Sequence, residues 1–335
     1  MKKRKGSQSF LYENCPVIIS TANVGGPMEG EGCQGDNFDI LLEDNINGFD
    51  TWEQCESYMM EQALTRAAEK SNLTVDNLEF ILAGDLLNQL MSTHFAMRAL
   101  SRPFLGLYGA CSTMVESMLL GATLIDGGFA ECLAGAASSH HDAAERQYRF
   151  PTELGVQRPP VAQWTVTGAG AAILSKSGDG PHLTAATVGK IIDMGMKDPN
   201  SLGAAMAPAA ADTIMAHFKD LGRTPDYYDM IFTGDLGQIG KKITIQLCQE
   251  NGFDLSNNYQ DCGCMIYKED QDTHAGASGC ASSAVVFCGY IYKMLKEKKF
   301  KKILMVGTGS LHSPTSYQQK QSIPCIAHGV AIEVG

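Results

Sequence analysis

Residues Thr74 to Leu86, TVDNLEFILAGDL, return at Thr224 to Leu236 as TPDYYDMIFTGDL, with Thr, Asp, Ile, Gly, Asp and Leu at the same six offsets. A repeat spaced by nearly half of the 335 residues indicates a duplication rather than a solenoid of short units. In both copies the segment follows an Ala-rich helical stretch, Glu53 to Lys70 and then Ala204 to Leu221, and reads as a short apolar strand ending in Gly-Asp.

A second pair of segments extends the match. Gly109-Ala-Cys-Ser-Thr113 opens an apolar helix from Met114 to Ile125, and Cys132 to Ser138 reads as the next strand. In the other copy Gly276-Ala-Ser-Gly279 opens the helix from Ala281 to Leu295, and Ile303 to Gly307 is the strand. Gly168 to Leu174 and Gly329 to Val334 close the two halves with similar strands. Both helices are apolar nearly all round, so they are expected to be buried. Two buried helices between strands predict an α/β/α/β/α body with those helices as its middle layer. The halves are expected over residues 1–176 and 177–335, with a lid or insertion over 20–51.

A chain that is 44% apolar and 19% charged holds enough apolar surface for such a core. The net charge of -11 argues against nucleic acid as a partner, because the only basic runs are Lys2 to Lys5 and Lys296 to Lys302. The opening MKKRKGSQSF lacks the apolar segment of a secretory signal, so reduced thiols are expected for the eleven cysteines. No apolar stretch approaches the ~20 residues that cross a bilayer, so membrane association is expected to be peripheral. Asp44 does not begin an EF-hand loop, since its third and fifth positions are Ile46 and Gly48. Cys262-Gly-Cys264 reads as one face of a strand, and its spacing is weak as a metal site.

Cys111 is the principal chemical candidate. It stands at a Gly-flanked helix start, where free N–H groups and the helix dipole would lower a thiol pKa. The plainer alternative is a buried structural cysteine. Glu116 lies on the same apolar helix, where an acid needs a partner or a proton. Setting Gly135 on Gly307 places Ser138 over Ser310 and His140 over His312, so both halves deliver a serine and a histidine from one strand end. Arg146 and Arg149 follow, and Arg suits a carboxylate; pairing with Glu145 or Glu153 is the alternative.

Gly109-Ala-Cys-Ser-Thr113, Gly168-Ala-Gly170, Gly276-Ala-Ser-Gly279 and Gly307-Thr-Gly309 resemble motifs of the thiolase and ketosynthase superfamily over almost the whole chain. The resemblance implies a thiolase-like fold of two duplicated halves in five layers, a homodimer and a nucleophile position at Cys111. Condensing enzymes pair that cysteine with two second-half groups, His with His or Asn. Here Asp235 stands where one is expected. His274 lies two residues nearer the Gly276-Ala-Ser-Gly279 turn than the other should.

Four longer stretches, Glu145 to Glu153, Met194 to Pro199, Gly203 to Ala210 and Ser322 to His328, resemble a sporulation branch of that superfamily. That branch implies binding of pyridine-2,6-dicarboxylate (dipicolinic acid), free or as its calcium chelate, for uptake into the developing spore. It implies a peripheral subunit on the cytoplasmic side of the spore inner membrane, alongside other subunits of a transport complex. The expected ligand-binding residues are Cys111, Ser138, His140, Arg146, Arg149, Asp235, His274, Ser278, Ser310 and His312, with calcium bridging to Asp235 as an option. Two other readings stand beside this one: a condensing enzyme that uses Cys111, and a scaffold that binds neither ligand nor acyl donor.

Overall fold

The computed structural model describes residues 3–148 and 158–335. The first half runs β1 (Val17–Gly25), α1 (Trp52–Lys70), β2 (Phe80–Gly84), α2 (Met91–Leu100), β3 (Phe104–Gly106), α3 (Thr113–Asp126), β4 (Cys132–Ser139), α4 (His141–Tyr148) and β5 (Gly168–Ser175). The second half runs β6 (His182–Thr187), α5 (Leu202–Leu221), β7 (Met230–Thr233), α6 (Gly237–Glu250), β8 (Tyr259–Asp261), α7 (Cys280–Val286), β9 (Lys302–Ser310) and β10 (Cys325–Glu333). Helix α7 continues through a π-helical turn, Phe287–Ile291, into Tyr292–Lys296.

The strand order β8-β7-β9-β10-β6-β1-β5-β4-β2-β3 is a palindrome of the duplication. In each half the first strand pairs antiparallel with the last, the last pairs antiparallel with its neighbour, and the outer strands are parallel. The two sheets are spliced at one register pair, His182 with Val17. Three apolar clusters separate the layers. One lies between the sheets around α3 and α7 and draws on Met114, Met118, Phe287 and Ile291. The others pack α1 against the first sheet and α5 against the second. This is the five-layered body that the repeated helix and strand pattern predicts.

Strand alternation sends Leu133 and Ala137 to the middle layer and Ala134 and Ala136 to the outer one. Between the inward residues sits Gly135, where a Cβ would come within 2.7 Å of Ser117 Oγ. Its counterpart Gly307 is as tight, since a Cβ there would lie 2.8 Å from Val115 Cβ. Glycine at both positions lets α3 seat against both sheets at once. Helix α1 starts at a capping box in which Gln54 N–H donates to Thr51 Oγ1 at 3.3 Å and Thr51 N–H donates to Gln54 Oε1 at 3.2 Å.

Two local expectations are corrected. Cys262-Gly-Cys264 is a 3-10 turn after β8, not a strand. The segment expected as a lid over 20–51 begins later, because residues through Gly25 belong to β1, whose apolar faces hold it in the sheet. The rest of the segment packs elsewhere: Gln34 Nε2 donates to Met265 O at 3.0 Å, and no residue of it lines the cavity described below. All eleven cysteines are free thiols.

His217 on α5 is buried and joins layers through Thr187 Oγ1 at 2.8 Å and Tyr228 OH at 2.5 Å. Burial, then the Arg223 charge, lowers its pKa from 6.5 to about 3. A depressed histidine contributes stability that is fully present above its unfolded pKa and is lost as pH falls from 6.5 towards 3. Urea midpoints measured across that window should fall in the wild type and fall less in His217→Gln. Met114→Ala in the middle layer should cost about 2–5 kcal/mol, read as a lower urea midpoint.

Candidate functional site

The middle helices meet at their N-terminal ends, and a cavity of about 470 Å³ opens above that junction, within the usual range for small-ligand sites. Its floor comes from both halves. Cys111 sits in the 3-10 turn Ala110–Ser112 that leads into α3. Ser278 and Gly279 precede α7, and the short strand Ala277–Ser278 pairs in parallel with Trp164–Thr165. Gly279 has φ +100°, a conformation that glycine adopts without strain.

Beneath Cys111 lies Asp235, fully buried after β7. Its carboxylate accepts from Thr308 Oγ1 at 2.7 Å, Ser278 Oγ at 2.9 Å, Gly279 N–H at 3.0 Å and the Cys111 thiol. Burial raises the Asp235 pKa, and these four donors oppose that rise. The Cys111 pKa moves well above 9.0, first through burial, then through the Asp235 and Cys280 charges. The thiol pKa that a helix start should lower is therefore raised. Desolvation and a facing carboxylate outweigh the helix dipole, and the proton rests on sulfur.

The walls are mostly apolar and aromatic. Leu86, Tyr108, Tyr148, Ile191, Leu202 and Leu311 contribute most of them. Tyr148 and His312 lie 6.0 Å apart, ring to ring, and Tyr108 OH is 3.3 Å from Tyr148 OH. Two acids, Glu116 and Glu145, also face the space. His328 joins from β10, and burial lowers its pKa to about 4.

Of the residues expected from sequence, Cys111, Ser278, Ser310 and His312 line the cavity, and Asp235 supports its floor. Four of the others lie away from the cavity. Ser138 shares the outward parity of Ala134 and Ala136, and donates to Glu56 Oε1 on α1 at 3.0 Å. His140 is buried away from the cavity with Nε2 2.6 Å from Asn45 O. Arg146 pairs with Glu53 and lies over the Trp52 ring. His274 sits in a loop 3.6 Å from Asp272. Arg149 lies outside the described residues. Calcium bridging to Asp235 does not fit, because Asp235 does not line the cavity and both its oxygens already accept hydrogen bonds. Sequence reasoning did not assign Tyr108, Glu145, Tyr148 or His328 to the site. Three of these lie in the stretches Glu145 to Glu153 and Ser322 to His328, the available signal for them.

The model of the stage V sporulation protein AD (SpoVAD) family matches residues 6–333. The chain belongs to the SpoVAD family. Stage V sporulation protein AD of Bacillus subtilis is 46% identical over 331 residues, covering 99% of this chain and 98% of that one. A role in sporulation follows from this membership. Among solved structures, 3-oxoacyl-[acyl-carrier-protein] synthase III from Aquifex aeolicus aligns with TM-score 0.58 at 14% identity, over 95% of this chain and 100% of that one. An OleA variant from Xanthomonas campestris aligns with TM-score 0.62 at 14% identity, over 97% and 99%. These similarities establish the thiolase-like fold.

Timed alkylation with iodoacetamide near neutral pH, read by peptide mass spectrometry, should label exposed Cys33 at least about tenfold faster than Cys111, since only thiolate reacts.

Proposed function

We propose that this SpoVAD-family chain is a non-catalytic binding protein whose cavity receives pyridine-2,6-dicarboxylate for uptake into the developing spore. The observation that carries the reading is the Cys111–Asp235 pair. A nucleophile must shed its proton to a base of matched pKa. Here the thiol is held neutral against a carboxylate that three other donors already occupy. His274 pairs with Asp272 in its loop, and His328, though in the cavity, accepts from Gly189 N–H at 3.2 Å, so neither is placed as a base for Cys111. What remains is a ligand-sized space with the adjacent rings of Tyr148 and His312 in its wall, a surface a flat ring could pack against.

Calcium, in this reading, enters as part of the ligand's chelate rather than through Asp235. The chain works as a peripheral subunit of a spore membrane transport complex; no helix among the described residues is long and apolar enough to cross a membrane. A homodimer continues the first sheet through its edge strand β3. In support, Leu105 on that strand is 48% exposed and Phe95 on the neighbouring α2 is 46% exposed, an apolar edge that pairing would cover.

Isothermal calorimetry with pyridine-2,6-dicarboxylate, with and without calcium, should give saturable heat for the wild type. Tyr148→Ala should weaken binding by about tenfold or more, the range of a lost aromatic contact. Thioester turnover by Cys111 at an enzymatic rate would replace the binding reading with a condensing enzyme.

A further inference from the structure

Glu116 is an acid on an otherwise apolar helix, and its setting in the cavity gives it a role. Its side chain lines the space just beyond Cys111. Its Oε2 is shielded from solvent and has no hydrogen-bond partner among the described residues. That oxygen lies over Gly109, where a Cβ would come within 2.2 Å of it. No lysine or arginine among the described residues lines the cavity. Among the described residues an anionic ligand therefore meets two carboxyl groups and no fixed cation. Like charges in a desolvated space oppose one another strongly, and a proton on one acid turns that repulsion into a hydrogen bond.

We propose that Glu116 meets the ligand as a neutral carboxylic acid and donates its hydrogen to a ligand carboxylate, so that binding requires one proton. This rests on the dicarboxylate reading of the cavity. No bond other than the hydrogen bond forms, and the proton comes from solvent when Glu116 is ionised in the empty cavity. Burial, with no charged neighbour contributing, raises the Glu116 pKa, and apolar burial is what makes a neutral carboxyl available as a donor.

The other titratable groups facing the space are Cys111, Tyr108, Glu145, Tyr148, His312 and His328. Burial pushes the Cys111, Tyr108 and Tyr148 pKa values up, so they keep their protons through neutral pH. His328 stays neutral down to about pH 4. Glu145 already accepts from Thr165 Oγ1 at 3.2 Å. Glu145 and His312 are the other groups whose titration could imitate that of Glu116, and a variant of each separates them.

The test is calorimetry of the full chain with metal-free pyridine-2,6-dicarboxylate from about pH 6 to about pH 9. A group that must be protonated for binding gives affinity that is greatest below its pKa in the empty cavity and falls above it, by up to about tenfold per pH unit. Wild type, His312→Gln and Glu145→Gln should all show that fall. Glu116→Gln keeps a donor that does not titrate; it should bind at low pH within about threefold of the wild type and show no slope. A slope that persists in Glu116→Gln overturns the proposal, as does a flat profile in a wild type that binds. Binding that needs calcium and is lost in Glu116→Gln also overturns it, by making Glu116 a metal contact. A wild type giving no heat at any pH, with or without calcium, removes the dicarboxylate reading itself and this inference with it.

Discussion

The buried Asp235 carboxylate is the point through which the two halves of the molecule are tied at the cavity floor. It gathers Thr308 from β9, Ser278 and Gly279 from the turn before α7, and Cys111 from the first half. Its backbone is held as well, since Gln163 Nε2 donates to Asp235 O at 2.8 Å and to Ala277 O at 2.7 Å. An ion so deeply buried persists only when every oxygen is satisfied. The donors that satisfy it are those that shape the site, so the requirement that stabilises the junction also quenches the thiol.

The duplication shows how far one position can diverge. Asp85 follows the same strand and the same glycine in the first half, yet it accepts from Leu87 N–H at 2.7 Å and from Thr93 N–H and Oγ1 at 2.7 and 2.5 Å. These are local bonds that shape the start of α2. Its neighbour Glu56 is buried too, with Ser138 and Ser92 as donors and its pKa raised by burial. The same Gly-Asp step thus serves a local turn in one half and a junction between halves in the other.

Much of the fold was legible in the sequence because it follows from periodicity. The repeated Gly-Asp strands, the two helices apolar all round and the paired glycines Gly135 and Gly307 are local patterns, and each reports its layer directly. The site was legible only in part. Cys111, Ser278, Ser310 and His312 stand at strand ends and helix starts that the motifs mark. The character of Cys111 was not readable, because its pKa is set first by burial and then by the charge of a residue 124 positions away in the chain. Arg146 carries the same charge in sequence and in structure, but Glu53, across the fold, draws it off the site. Strand parity decided Ser138, and a parity is fixed only once the strand's register is known.

The close seating of α3 between Gly135 and Gly307 leaves the cavity floor no room to adjust. In the proposed binding role, selectivity would fall to the outer wall of the cavity, where Ile191 and Leu311 stand exposed. Exchanging those exposed side chains would reshape the space above while the two plates below keep their grip on one another.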